Sequence, residues 1–150
     1  MRLIKDIYAD KEALGKPTIS FEFFPFKTPE GEVRFFDKTL PALMEARPDY
    51  ASVTYGAGGS TREKTLEIVE KIQGDFGLTT MAHLTCVKHT IDEINSILDY
   101  AKNRGIRNIL ALRGDPPPGE NWSMTDGGFE YAADLVSYIK DQGDFGIAVA

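Results

Sequence analysis

The sequence predicts an α/β protein, the N-terminal part of a (β/α)8 TIM barrel with five strands and four helices. Three observations carry this. Short aromatic and β-branched segments alternate with amphipathic helical ones. Strand centres recur at roughly 30 residues, the size of a βα unit in a parallel sheet. The last strand pattern, Gly146–Ala150, runs to the final residue with no helix after it. A closed barrel needs about 250 residues. The 150 present would be a little over half of one, so 1–150 reads as the N-terminal portion of a single barrel domain, cut in its fifth strand. A complete flavodoxin-like sheet lacking its last helix is the competing architecture.

The first strand is Thr18–Pro25, apolar except for its acid and closed by proline. Thr28-Pro29 then fits an N-cap followed by a first-position proline. The helix from Glu30 to Ala46 carries Val33, Phe36, Leu40 and Leu43 at helical spacing, and Pro41 inside it demands a kink or a restart. The second strand, Tyr50–Tyr55, leads through Gly56-Ala57-Gly58-Gly59 into a capping-box pattern, Ser60 with Glu63. The helix Glu63–Gln73 follows, striped by Leu66, Val69 and Ile72. The third strand is Thr80–Cys86, and Thr90 with Glu93 caps a helix over Thr90–Arg104 that Gly105 closes. The fourth strand is Asn108–Leu112. A long loop, Pro116–Gly128, separates it from the last helix, Phe129–Asp141, and its length suggests function.

Composition narrows the class. Hydrophobic residues make up 42% of the chain, enough for a core. Seventeen basic against twenty-three acidic residues give a net charge of −6, which argues against a general nucleic-acid or anionic-membrane surface. No apolar run has signal-peptide or membrane-span length. Cys86 is the single cysteine, so no internal disulfide forms and a reducing cytoplasm is the expected location.

Chemistry in α/β folds collects at the C-terminal ends of strands, and the odd polar residues of this chain fall there. Glu22 lies among phenylalanines on the first strand; a partly desolvated carboxyl holds its proton more tightly, as a proton donor near neutral pH must. A solvated acid on a strand face fits that segment equally well. Gly56–Thr61 suggests a phosphate cradle but matches neither the Walker nor the dinucleotide pattern, and a tight turn explains it as well. His83 is a catalyst or a hydrogen-bonded core histidine. As a metal ligand it is poorly supported, because His83 and Cys86 would face opposite sides of the strand and His89 lies beyond it. Arg113-Gly114-Asp115 is a functional turn or a simple surface ion pair. Trp122 and the tyrosines can stack on a planar ligand or serve as core and rim.

Taken together, Ser20-Phe-Glu-Phe-Phe-Pro25, Ser52-Val-Thr-Tyr-Gly-Ala57, His83-Leu-Thr-Cys86 and Ala111-Leu-Arg-Gly-Asp-Pro116 resemble the methylenetetrahydrofolate reductase family, from about residue 18 to Ala150. The resemblance implies a barrel flavoprotein holding FAD at the C-terminal face. Hydride from NAD(P)H would pass to 5,10-methylenetetrahydrofolate, giving 5-methyltetrahydrofolate for one-carbon metabolism and methionine synthesis. It implies Glu22 as general acid and Glu22 and Asp115 as folate-binding residues; no metal is expected, from the placement of His83, Cys86 and His89. Thr54, Tyr55, Ala57, His83, Arg113, Gly114, Asp115, Tyr131 and Ala132 would contact the cofactor. A homo-oligomer is implied for the full-length protein. The family's remaining strands supply further FAD contacts and a folate-binding glutamine, so 150 residues alone are expected to be unstable, to hold FAD weakly and to be inactive. Two other readings remain: a barrel of the same family that uses no flavin or takes electrons from another donor, and a non-catalytic βα scaffold or half-barrel that dimerises.

Overall fold

Five parallel strands lie side by side in chain order: β1 (Ser20–Phe23), β2 (Tyr50–Val53), β3 (Thr79–Thr85), β4 (Asn108–Leu112) and β5 (Gly146–Val149). The computed structural model describes residues 1–56 and 62–150. A flavodoxin-like sheet would place its first strand between the second and third; the sequential order is that of a barrel and decides between the two architectures. The register pairs Glu22 with Ser52, Ser52 with Met81 and His83 with Leu110, so side chains of one parity share one face across the sheet.

The two faces differ in what covers them. One presents Phe23, Val53, Ala82, Leu84, Ile109 and Ala111 to the main core, which also takes in Leu66, Val69 and Ile72 of α4 (Arg62–Phe76), Ile94, Ile97 and Leu98 of α5 (Ile91–Asn103), and Leu135 and Ile139 of α6 (Ala132–Asp141). Helices gathered on one face of a parallel sheet are the outer ring of a barrel. The other face would line its interior. There α1 (Ile4–Ala13) covers the N-terminal end, packing Ile4 and Ile7 on Tyr50 and Met81, with Leu110 and Ala148 against them.

The sequence reading, with four helices, has no α1, because Ile4 and Ile7 are its only buried residues and two positions make no readable stripe. A buried asparagine docks it. Asn108 Oδ1 accepts from Ile4 N at 2.9 Å, while Nδ2 donates to the carbonyls of Arg2 (3.0 Å) and Thr80 (3.2 Å). Asn108→Ala strands all three main-chain groups and is expected to cost about 3 kcal/mol in urea denaturation. Amide exchange should accelerate first in α1.

The helix after β1 restarts as its proline requires. Thr28 caps α2 (Pro29–Arg34), its hydroxyl accepting from Gly31 N at 3.1 Å. A π turn over Phe35–Thr39 then sends Leu40 N back to Phe35 O, and α3 (Leu40–Met44) begins with Pro41 in its first turn, where the missing N–H matters least. Phe35 and Phe36 from this bend meet Phe23 and Phe26 at ring separations of 4.8–5.8 Å. Both halves of the Thr90–Glu93 capping box form, and Gly105 (φ 68°) ends α5 with Ile106 N bonded to Ala101 O and its own N–H to Lys102 O. The proposed Ser60–Glu63 box lies outside the described residues.

Candidate functional site

On the interior-facing side, the C-terminal ends of β1, β2 and β3 bring three polar side chains together. Glu22 Oε2 accepts a hydrogen bond from Ser52 Oγ at 3.3 Å and lies 3.4 Å from His83 Nε2. The first contact follows from the Glu22–Ser52 register; the second reaches the next strand two residues beyond Met81, the register partner of Ser52, on the same face. Burial pushes the pKa of His83 down, and the nearby Glu22 charge only partly opposes this. His83 is therefore neutral at neutral pH, and its approach to Glu22 is a polar contact rather than an ion pair.

The surroundings of Glu22 differ from the sequence expectation of an acid walled by phenylalanine. Phe21 and Phe23 project to the opposite face and stack at 6.2 Å, while Phe24 is exposed. The Glu22 side chain is 52% exposed and its partners are a serine and a histidine. Alternation along a strand separates sequence neighbours, so flanking residues do not set the environment of the residue between them.

Two further polar atoms stand out at this end of the sheet. His83 Nε2 and Thr85 Oγ1 are buried without a hydrogen-bond partner among the described residues, a state native proteins avoid unless something else satisfies it. Thr85 lies against Gly114, the residue after Arg113. Gly114 has φ 81°, and a Cβ there would stand 2.7 Å from Val87 Cγ1 and 2.8 Å from Thr85 Cβ. The backbone passes closer than any side chain would allow.

Beyond β4 the long loop folds back over Arg113. The guanidinium carbon sits 3.7 Å from the Trp122 ring centroid and 5.6 Å from that of Tyr131, which immediately precedes α6. Aromatic faces on a guanidinium hold it without consuming its donors, leaving them for an anionic or carbonyl ligand. Asp115 is exposed in the same loop, and Ala132 opens α6. Thr54 is pinned through its backbone, N to Phe23 O at 2.9 Å and O to the Thr65 hydroxyl at 3.0 Å. Tyr55 pairs through its hydroxyl with His89 Nε2 at 3.0 Å. Ala57 lies outside the described residues. The structure thus joins Glu22 to His83 and Arg113 to Tyr131, stacks Trp122 on Arg113, and adds Ser52 and Thr85.

Cys86 faces the helix-side core, opposite His83. Burial pushes its thiol up to about 11. Thiol-specific reagents at pH 8 are expected to leave it unmodified until denaturant is added, which colorimetric labelling measures. No helix among the described residues is long and apolar enough to cross a membrane.

A parallel sheet in sequential strand order, with helices gathered on one face, defines the class as (β/α) barrel proteins; an acid, a histidine and a stacked arginine lie around its C-terminal end. The family model described as methylenetetrahydrofolate reductase matches residues 7–150. The chain is 44% identical over 139 residues to methylenetetrahydrofolate reductase (NADH) 1 of Arabidopsis thaliana, covering 91% of this chain and 23% of that one. It is 41% identical over 139 residues to 5,10-methylenetetrahydrofolate reductase of Escherichia coli (strain K12), covering 93% and 45%. It is 40% identical over 154 residues to methylenetetrahydrofolate reductase 2 of Saccharomyces cerevisiae (strain ATCC 204508 / S288c), covering 100% and 26%. The chain belongs to the methylenetetrahydrofolate reductase family. It spans about a quarter of the plant and yeast relatives and under half of the bacterial one.

Proposed function

We propose that this chain supplies the proton-donating part of a reductase that converts 5,10-methylenetetrahydrofolate to 5-methyltetrahydrofolate at the expense of NAD(P)H, with FAD as cofactor. The observation that carries the reading is the Glu22–Ser52–His83 cluster at the C-terminal ends of three adjacent strands.

The methylene bridge accepts hydride poorly until its five-membered ring opens to an iminium cation. Opening requires a proton on the departing nitrogen, and Glu22 donates it; the proton stays there in the product. Ser52 fixes the carboxyl by hydrogen bonding to Oε2. A neutral His83 beside it adds no positive charge to the site. Asp115 offers a second carboxylate, able to hydrogen-bond the pterin and offset the developing cation.

FAD, when bound, supplies the hydride relay between nicotinamide and the methylene carbon. The residues here suit such a group: the unpartnered His83 Nε2 and Thr85 Oγ1 offer polar contacts, Gly114 permits close backbone approach, and Arg113 lies against the Trp122 and Tyr131 rings. Thr54, Tyr55, Ala57, Tyr131 and Ala132 complete the proposed contact set. The 150-residue chain by itself is expected to be inactive.

The test is direct. The full-length protein, purified, should show flavin absorbance, oxidise NADH or NADPH, and form 5-methyltetrahydrofolate in stoichiometric amount. Oxidation of the nicotinamide with no methyl product would reject the folate assignment.

A further inference from the structure

The loops after β2, β3 and β4 converge on a residue to which the reading above gives no part, His89. Its side chain sits in the β3 loop and the residue is 2% exposed. Nδ1 lies 2.8 Å from the Val87 carbonyl oxygen, which can only accept, so Nδ1 carries the hydrogen. In the neutral ring Nε2 is then a bare acceptor, and the Tyr55 hydroxyl at 3.0 Å donates to it. One imidazole thereby ties the β2 loop to the β3 loop with both nitrogens in defined roles.

The same residue seats the β4 loop through its main chain. Gly128 backs onto the His89 carbonyl oxygen so closely that a Cβ would collide with it, and next to this contact Ile91 N donates to Gly127 O at 2.8 Å. That loop also carries Trp122, which stacks on Arg113.

We infer that His89 is a positioning residue: as the Nδ1–H tautomer it accepts the Tyr55 hydroxyl proton, and so fixes Tyr55 relative to the β4 loop that packs on its own carbonyl. The inference rests on the flavin reading only for what the assembled loops receive. Its effect on ligand binding is exerted through Tyr55, not by direct contact.

Two measurements on the full-length protein test it. With histidine 15N-labelled and no ligand bound, His89 should show a protonated Nδ1 and a bare Nε2, and Tyr55→Phe should shift the Nε2 resonance. An Nε2–H tautomer, or an Nε2 signal indifferent to Tyr55→Phe, overturns the inference. FAD dissociation constants, read from flavin fluorescence, form the second arm. His89→Leu should weaken binding about tenfold, the weight of one hydrogen bond. His89→Gln, which keeps an acceptor facing Tyr55, should stay within about threefold of wild type. The double variant Tyr55→Phe/His89→Leu should match His89→Leu within about twofold, since both remove one interaction. Fully additive losses, or equal losses for the leucine and glutamine variants, reject it. A wild-type protein that binds no FAD would defeat the cofactor reading instead, and the resonance experiment would still decide the role of His89.

Discussion

Glu22→Gln is expected to lower folate turnover by about 10²–10⁴-fold, the usual worth of a positioned general acid. Glutamine preserves the size of the side chain, and its carbonyl oxygen can still accept from Ser52 Oγ, now 3.3 Å from Glu22 Oε2. What it lacks is a transferable proton. Because the side chain is half exposed and on a strand supported by its backbone pairing, folding stability should change by less than about 0.5 kcal/mol. The two halves of the reaction should also separate. Reduction of the bound flavin by nicotinamide breaks no carbon–nitrogen bond and should keep its wild-type rate in rapid-mixing absorbance. Reoxidation by methylenetetrahydrofolate should carry the whole loss. Equal slowing of both halves would show that residue 22 shapes the flavin site rather than donating a proton. Wild-type reoxidation would remove Glu22 from the chemistry altogether.

The barrel was legible in the chain because each strand announces itself locally. Asn108–Leu112 agrees at both ends with the sequence reading, and the other strands differ by a few residues at their frayed termini. Helix α5 was equally readable, since a capping box, a strong apolar stripe and a terminal glycine all act within one segment. The polar cluster was only half legible. Glu22 and His83 stand out as polar residues in apolar strands, but their meeting depends on register, and register comes from pairing between segments 30 residues apart. Ser52 was invisible as a partner for that reason. The apolar neighbours of Glu22 misled for a related one: Phe21 and Phe23 are adjacent in sequence and on the other face in space. The stack of Trp122 on Arg113 bridges an aperiodic loop, where no repeat indicates which residues return to the strand end.

Gly114 combines two physical effects, backbone strain and close packing, that a comparison with Gly105 separates. At φ 81° any L side chain is strained by about 1–2 kcal/mol. Gly114→Ala also drives a methyl group to 2.7 Å from Val87 Cγ1 and 2.8 Å from Thr85 Cβ. Both neighbours are buried and stiff at χ1, so neither moves cheaply, and such overpacking adds about 1–3 kcal/mol. The expected loss is about 2–5 kcal/mol by chemical denaturation. Gly105→Ala is the matched control: φ is 68° there, and nothing lies within 4 Å of the added carbon. It should lose about 1–2 kcal/mol from strain alone. Equal losses at the two positions would mean the loop after β4 yields to the methyl group, and the close approach is not a constraint. A larger loss at Gly114 means the backbone between Arg113 and Asp115 is held against Thr85 by packing. In that case both flanking charges sit where β3 puts them, and Gly114→Ala should weaken FAD binding in any molecules that still fold.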